Sequence, residues 1–131
     1  MKKYFLIFFA LTFLHLPLAA QWIDAYIPDF KVNDDNLNSY QTNSVIGVDS
    51  AGNFVIAWND VRNTPGNQSP TQIYCQRLNR DGNFLGINFR IGQDTTYNPK
   101  ITMLRDGRFV VSWVRIFGFS ADSYELYYQR F

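Results

Sequence analysis

Beyond an apolar block at the start, hydrophobic residues come in short runs separated by clusters of Gly, Asn, Asp, Ser and Pro. No stretch after residue 20 sustains the 3.6-residue spacing of an amphipathic helix, whereas short β-prone runs bounded by turn residues recur throughout. The pattern predicts strands over Ser44–Val48, Phe54–Trp58, Thr71–Leu78, Phe84–Ile91, Lys100–Leu104, Arg108–Val114 and Tyr124–Phe131. Phe54–Trp58 is apolar at every position, as expected of a central strand covered on both faces. In Phe84–Ile91, the residues Ile87, Phe89 and Ile91 share one face. A further strand is expected near the start, where Pro28, Phe30 and Val32 alternate with Asp29 and Lys31. Turns fall at Asp49–Asn53, at Arg105-Asp106-Gly107 and at Asn79–Asn83, whose Asp-Gly step supplies the positive φ of a tight hairpin. Asn33–Asn43, Asp60–Pro70 and Phe117–Ser123 read as loops. The expected fold class is all-β.

The strands repeat. Gly52, Phe54 and Trp58 recur as Gly107, Phe109 and Trp113, each 55 residues on. Each copy leads to a second shared signature, Ile73-Tyr74-Cys75-Gln76-Arg77-Leu78 and Leu126-Tyr127-Tyr128-Gln129-Arg130-Phe131. A period of this length lies near the range of propeller blades, which are four-stranded antiparallel sheets. Repeat 1, about 44–92, has all four strands, and repeat 2, about 98–131, lacks its fourth. The segment at about 26–33 resembles that missing strand, since Phe30-Lys31-Val32 parallels Phe89-Arg90-Ile91. The sequence therefore predicts two four-stranded propeller-like blades, one of them split between the chain's two ends. Two blades cannot close a ring, because propellers carry 4–8. Either copies assemble head to tail, three giving six blades or four giving eight, or the chain is a piece of a longer repeat protein.

The apolar block changes the picture of where the protein works. Met1-Lys2-Lys3, the run Tyr4–Leu14 and the small residues before Ala20 have the form of a cleaved export signal, residues 1–20, leaving a two-repeat domain over 21–131. The run is too short to span a bilayer, so no membrane span is expected after cleavage. The expected location is secreted, periplasmic or cell surface. Loss of Lys2 and Lys3 takes the formal charge from +1 to −1 with both signs scattered, which offers no footprint for nucleic acid. The lone Cys75 sits mid-strand and reads as a small buried side chain, since it has no partner for an internal disulfide.

With these residues laid out, the chain resembles a family of repeats in secreted and surface proteins of bacteria. Its pattern runs Pro-x-Val-Ala, Asp-x-x-Gly-x-Phe-Val-Val-x-Trp, Ile-Tyr-x-Gln-Arg-Phe, then Gly-x-x-Phe-x-Val-Asn. The resemblance covers nearly all of the chain after residue 20 and implies β-propeller blades; it implies no activity. Repeat 2 departs after Trp113, where Val114-Arg115-Ile116 replaces Asn59-Asp60-Val61-Arg62-Asn63. A two-blade chain closing into a ring is also similar in organisation to small fucose-binding bacterial lectins, and fold analogy carries no function.

Candidate chemistry is sparse. The only His, His15, lies in the signal, so a nucleophilic triad lacks its base and no His/Cys cluster offers zinc. Glycoside hydrolysis needs two facing carboxylates. Ten Asp and Glu125 are available, yet Asp49, Asp81 and Asp106 sit in turns, where the side chain bonds its own backbone. The sialidase Asp-box is not matched, because Asp49 and Trp58 are too far apart. Calcium could use Asp34-Asp35 or Asp81-Gly82-Asn83, but neither has the ligand order of a recognised loop. Phe54, Trp58, Phe109 and Trp113 recur at central-strand positions and read as packing, while Arg77 and Arg130 recur in the third strand, where a structural contact weighs as much as a ligand. Polar residues just past the central strand, Asp60, Arg62 and Arg115, are the candidates for ligand contact. Tyr124, Tyr127 and Tyr128 enrich the last strand and suit an interface or a sugar. The expectation is a non-catalytic binding or interaction module without metal or cofactor, for a glycan or protein partner. The alternatives are a structural or truncated propeller piece with no ligand and, behind it, a glycan-active hydrolase.

Overall fold

The computed structural model describes residues 29–37, 39–64, 66, 71–93, 95–116 and 123–131. The expected export signal, residues 1–20, and the start of the segment at 26–33 lie outside them. Three side-chain-capped turns set the strand order. Asp49 accepts hydrogen bonds from the Ala51 and Asn53 N–H groups at 2.8 and 2.9 Å, and Gly52 takes φ 86°. This turn folds β1 (Gln41–Val48) against β2 (Phe54–Asp60). Asn79 accepts from Asp81 and Asn83 at 3.0 and 2.8 Å, closing β3 (Gln72–Leu78) towards β4 (Phe89–Ile91). In the second repeat Asp106 accepts from the Arg108 N–H at 3.2 Å and joins β5 (Thr96–Met103) to β6 (Phe109–Ile116). β7 (Tyr124–Arg130) follows. The result is all-β, with one antiparallel sheet in the order β1-β2-β3-β4 and another in the order β5-β6-β7.

The sequence repeat is a structural repeat in detail. Both first hairpins carry an irregularity at the same place, between Thr42 and Val45 and between Tyr97 and Lys100. Asn43 and Asn98, 55 residues apart, both take positive φ, 52° and 54°. The Asn43 side-chain amide donates to Asn98 Oδ1, and the Ser50 hydroxyl donates to the Arg105 carbonyl at 2.8 Å, again 55 residues on. Equivalent residues therefore meet along β1 and β5, where the two sheets come closest.

The faces that pack are not equivalent. The first sheet contributes Val55, Ala57, Ile73, Cys75 and Ile91; the second contributes Phe109, Val111 and Trp113, with Ile101 and Met103 beside them. The counterparts of the latter five are Phe54, Ile56, Trp58, Ile46 and Val48, which lie on the opposite face of the first sheet. One face of the second sheet thus packs on the other face of the first. Gly47 permits the approach: a Cβ there would overlap Ile101 Cγ2 and lie 2.9 Å from Met103 Cγ.

Two expectations need correction. Phe84–Ile91 is not one strand. Gly86, at φ 87°, breaks the extended run, and the Gln76 amide binds its carbonyl at 3.2 Å. Only Phe89–Ile91 pairs with β3, beside an isolated bridge at Phe84, and Ile87 is 82% exposed. The described part of the segment at 26–33, residues 29–33, is not a strand of the second sheet. Of its described residues none is in a strand. The Val32 carbonyl accepts from Asn88 Nδ2 at 3.2 Å, and the Asp34 N–H donates to Asn88 Oδ1 at 2.8 Å. Asn88 also binds Gln76, on the face of the first sheet turned away from β7. The segment is held on the wrong side to reach β7 of its own chain.

Because Gly47 has an ordinary φ, its role is steric. Gly47→Val should cost about 1–3 kcal/mol by overpacking the joint, measured as a lower urea midpoint. A variant as stable as the parent would show that β1 and β5 are not in close contact.

Candidate functional site

The corner after β2 gathers the first candidate residues. Asp60 has no exposed surface and accepts four hydrogen bonds: Trp58 Nε1 at 2.8 Å, the Arg62 backbone N–H at 2.8 Å, Arg62 Nε at 3.0 Å and Arg62 Nη2 at 2.8 Å. The Arg62 guanidinium also pairs with Asp34 and lies 4.0 Å from the centre of the Tyr74 ring. Tyr74 in turn stacks on Trp58 at 6.5 Å. Burial alone would lower the Arg62 pKa, but hydrogen bonds to Asp60 and Asp34 outweigh it and hold the charge. A buried carboxylate is tolerated only when paired and hydrogen-bonded. Both groups are engaged with each other, so the corner ties β2 to the segment at 31–35. The local sequence explains it: Asp60 ends β2 on the Trp58 side, and the turn at Val61–Thr64 brings Arg62 back over it.

The second corner inverts the charges. Arg115 stands where Asp60 does and faces Glu125 across the ladder, whereas Asp60 faces Gln72. The Tyr127 hydroxyl donates to Glu125 Oε2 at 2.7 Å, and that hydrogen bond raises the Tyr127 pKa although Arg115, bonded to the same hydroxyl, opposes it. Trp113 stacks on Tyr127 at 6.2 Å, repeating the Trp58–Tyr74 pair. Both Trp side chains are buried, at 4% and 5% exposure, which places them in packing roles.

A cleft of about 410 Å³ opens where the two sheets meet at the turn end. Asp49, Asn53 and Arg77 line it from the first repeat, Asp106 and Arg108 from the second, and Phe89 and Phe131 form apolar walls. Phe131 stacks on Phe109 at 4.8 Å and tilts against Phe89 at 5.6 Å, so it bridges the two sheets. The Asn53 side-chain amide holds the Asp49 pKa down, and the Arg108 guanidinium does the same for Asp106. Both are carboxylates at neutral pH. Neither is tuned as a general acid, which needs a raised pKa. Burial pushes the Cys75 thiol up, so it is inert towards substrates. Among the described residues no group of three His, Cys, Asp or Glu could hold a metal.

The structure therefore brings Arg77 into a cleft with charged residues that the sequence treated as turn-formers. Arg130, its counterpart, lies exposed at the same position of the second sheet, with no further sheet facing it among the described residues. Asp49 and Asp106 read as turn residues from the sequence; that they share one cleft depends on the packing of two sheets.

Arg62→Met should strip the buried Asp60 carboxylate of its cation and cost about 3–5 kcal/mol in urea denaturation. Arg80→Ala, at an exposed site, should stay within about 0.5 kcal/mol of the parent. Equal effects would mean that the corner is not a structural lock. Comparison with protein-family models, curated proteins and solved structures finds no match for this chain.

Proposed function

We propose that the chain is an exported, non-catalytic binding module made of two β-propeller blades, with its ligand site in the cleft between them. The observation that carries this reading is the unlike-face packing: Phe109, Val111 and Trp113 sit on Val55, Ala57, Ile73 and Cys75, while their own counterparts face outward. Successive propeller blades stack this way about an axis beside the innermost strands. The contacts of equivalent residues along β1 and β5 support the same axis.

The chemistry of the cleft favours a carbohydrate. Carboxylates at Asp49 and Asp106 and guanidinium groups at Arg77 and Arg108 offer planar donors and acceptors to hydroxyl groups, and the Phe89 and Phe131 rings suit the apolar face of a sugar. A hydrolytic reading draws no support from these carboxylates, since both are held ionised and no acid partner is tuned beside them.

The reading is tested by calorimetric titration with a panel of neutral and acidic mono- and disaccharides. Saturable binding is expected, weakened about tenfold or more by Arg77→Ala or Arg108→Ala, which each remove charge-assisted hydrogen bonds of about 1.5–3 kcal/mol. Absence of saturable heat at millimolar sugar overturns the proposal. The carboxyl pKa values lie below the ordinary 3.8, so the charged forms persist above it and are lost as pH falls through the depressed values. Affinity should therefore be flat from about pH 5 to 8 and fall only below about pH 4. A titration step near pH 6.5 would place another group in the site.

A further inference from the structure

We infer that copies of this chain join head to tail, and that Phe30–Val32 of one copy becomes the fourth strand of the second sheet in the next. This rests on the blade reading and names its partner: a second copy of the chain.

Three observations carry it. First, β7 has no neighbour on its outer side among the described residues, and Leu126 and Tyr128 on it are 78% and 72% exposed. Second, the chain contains the template for the missing pairing. In the first sheet Ile73 pairs with Ile91, Tyr74 with Arg90 and Cys75 with Phe89. The counterparts of Ile73, Tyr74 and Cys75 are Leu126, Tyr127 and Tyr128, and Phe30-Lys31-Val32 repeats the apolar-basic-apolar order of Phe89-Arg90-Ile91. The implied register is Leu126 with Val32, Tyr127 with Lys31 and Tyr128 with Phe30. It buries Phe30, which is 69% exposed, beside Tyr128, and brings the Lys31 ammonium to the face that carries Glu125. Third, Asn88 and Arg62 hold residues 32–34 on the side of the first sheet turned away from β7. The segment is aimed outward from its own chain, so the sheet that it completes belongs to another copy.

The rest of the joint is supplied by the faces left open. The outward face of the first sheet carries Ile46 and Val48, 59% and 56% exposed, which correspond to the packed Ile101 and Met103. The outward face of the second sheet carries Val110, Ser112, Leu126 and Tyr128 at the positions of Val55, Ala57, Ile73 and Cys75. Thr102 stands where Gly47 does, so the joint between copies is wider at its inner end than the one within the chain. The contact is heterologous, which leads to a ring where the rotation closes. It also brings Arg130 against the next copy's first turn, so each joint repeats half of the sugar cleft.

The test uses the chain as recovered after export. Light scattering across a dilution series should give a discrete multiple of the monomer, and Leu126→Asp should reduce it to a folded monomer, since this side chain is exposed in the single chain. Facing residues of an antiparallel pair have Cα atoms about 4.5–5.5 Å apart, within disulfide reach. Lys31→Cys with Tyr127→Cys should therefore give intermolecular disulfides on mild oxidation, with Cys75 buried out of reach. Asp29→Cys with Tyr127→Cys, two residues out of register, should cross-link at least tenfold less. A parent chain that is monomeric at every concentration overturns the inference, as does a disulfide formed within one chain or equal cross-linking in both pairs. A monomer that binds sugar removes the assembly alone; an assembled chain that binds none removes the sugar-binding reading alone.

Discussion

The close approach of β1 and β5 is the constraint on which the rest of the structure depends. It brings equivalent residues of two copies of one sequence unit, Asn43 and Asn98, into contact, and it needs a residue without a side chain at Gly47. Once that line of contact is set, the sheets can only diverge from it, and the wedge between them fills with side chains. Near the line the filling is Ile101 and Met103 against Val45; further out it is Phe109, Val111 and Trp113 against Val55, Ala57, Ile73 and Ile91. Each fully buried aliphatic or aromatic side chain contributes about 1.5–3 kcal/mol, and most of these residues are buried at this joint alone.

A sheet packed on one face has its other face to account for. In the first sheet that face is partly closed by polar means: Trp58 stacked on Tyr74, Asp60 paired with Arg62, and Asn88 holding the segment at 32–34. These contacts rigidify the outer part of the face and leave Ile46 and Val48 in solvent. Among the described residues the second sheet has no such cover over Leu126 and Tyr128, and its last strand has no neighbour on its outer side. Exposed apolar faces beside an unpaired strand edge favour association. A unit whose two open faces correspond to the two faces of its own internal joint has a defined way to associate.

The corners show how repeats diverge while the fold persists. The Trp-on-Tyr stack is kept in both, because it is part of packing across the central and third strands. The charges are exchanged: acid on the central strand in the first repeat, base on the central strand and acid on the third in the second. The first arrangement is buried and locks a neighbouring segment, whereas Glu125 is exposed and its hydrogen-bonded Tyr127 only half-buried. Ligand chemistry shared by the two corners would need the same groups in both, and they differ. The cleft at the turn end takes charged residues from both repeats and depends less on either corner.

The sequence determined the strands, because alternation, β-propensity and side-chain-capped turns act over a few residues and leave their mark locally. It determined the repeat, and with it that Phe54, Trp58, Phe109 and Trp113 would hold corresponding places. It did not determine where Phe84–Asn88 leaves the sheet, because a glycine at positive φ there is favoured by the long-range hydrogen bond from Gln76 as well as by its own freedom. It could not say that Asp60 would be wholly buried under Arg62, that Asp49 and Asp106 would share a cleft with Arg77, or that residues 32–34 would dock on Asn88. The cleft joins the turns of two repeats and needs the packing of one sheet on the unlike face of the other, whereas the burial of Asp60 and the docking on Asn88 need the distant segment at 31–35 to fold back over the first sheet.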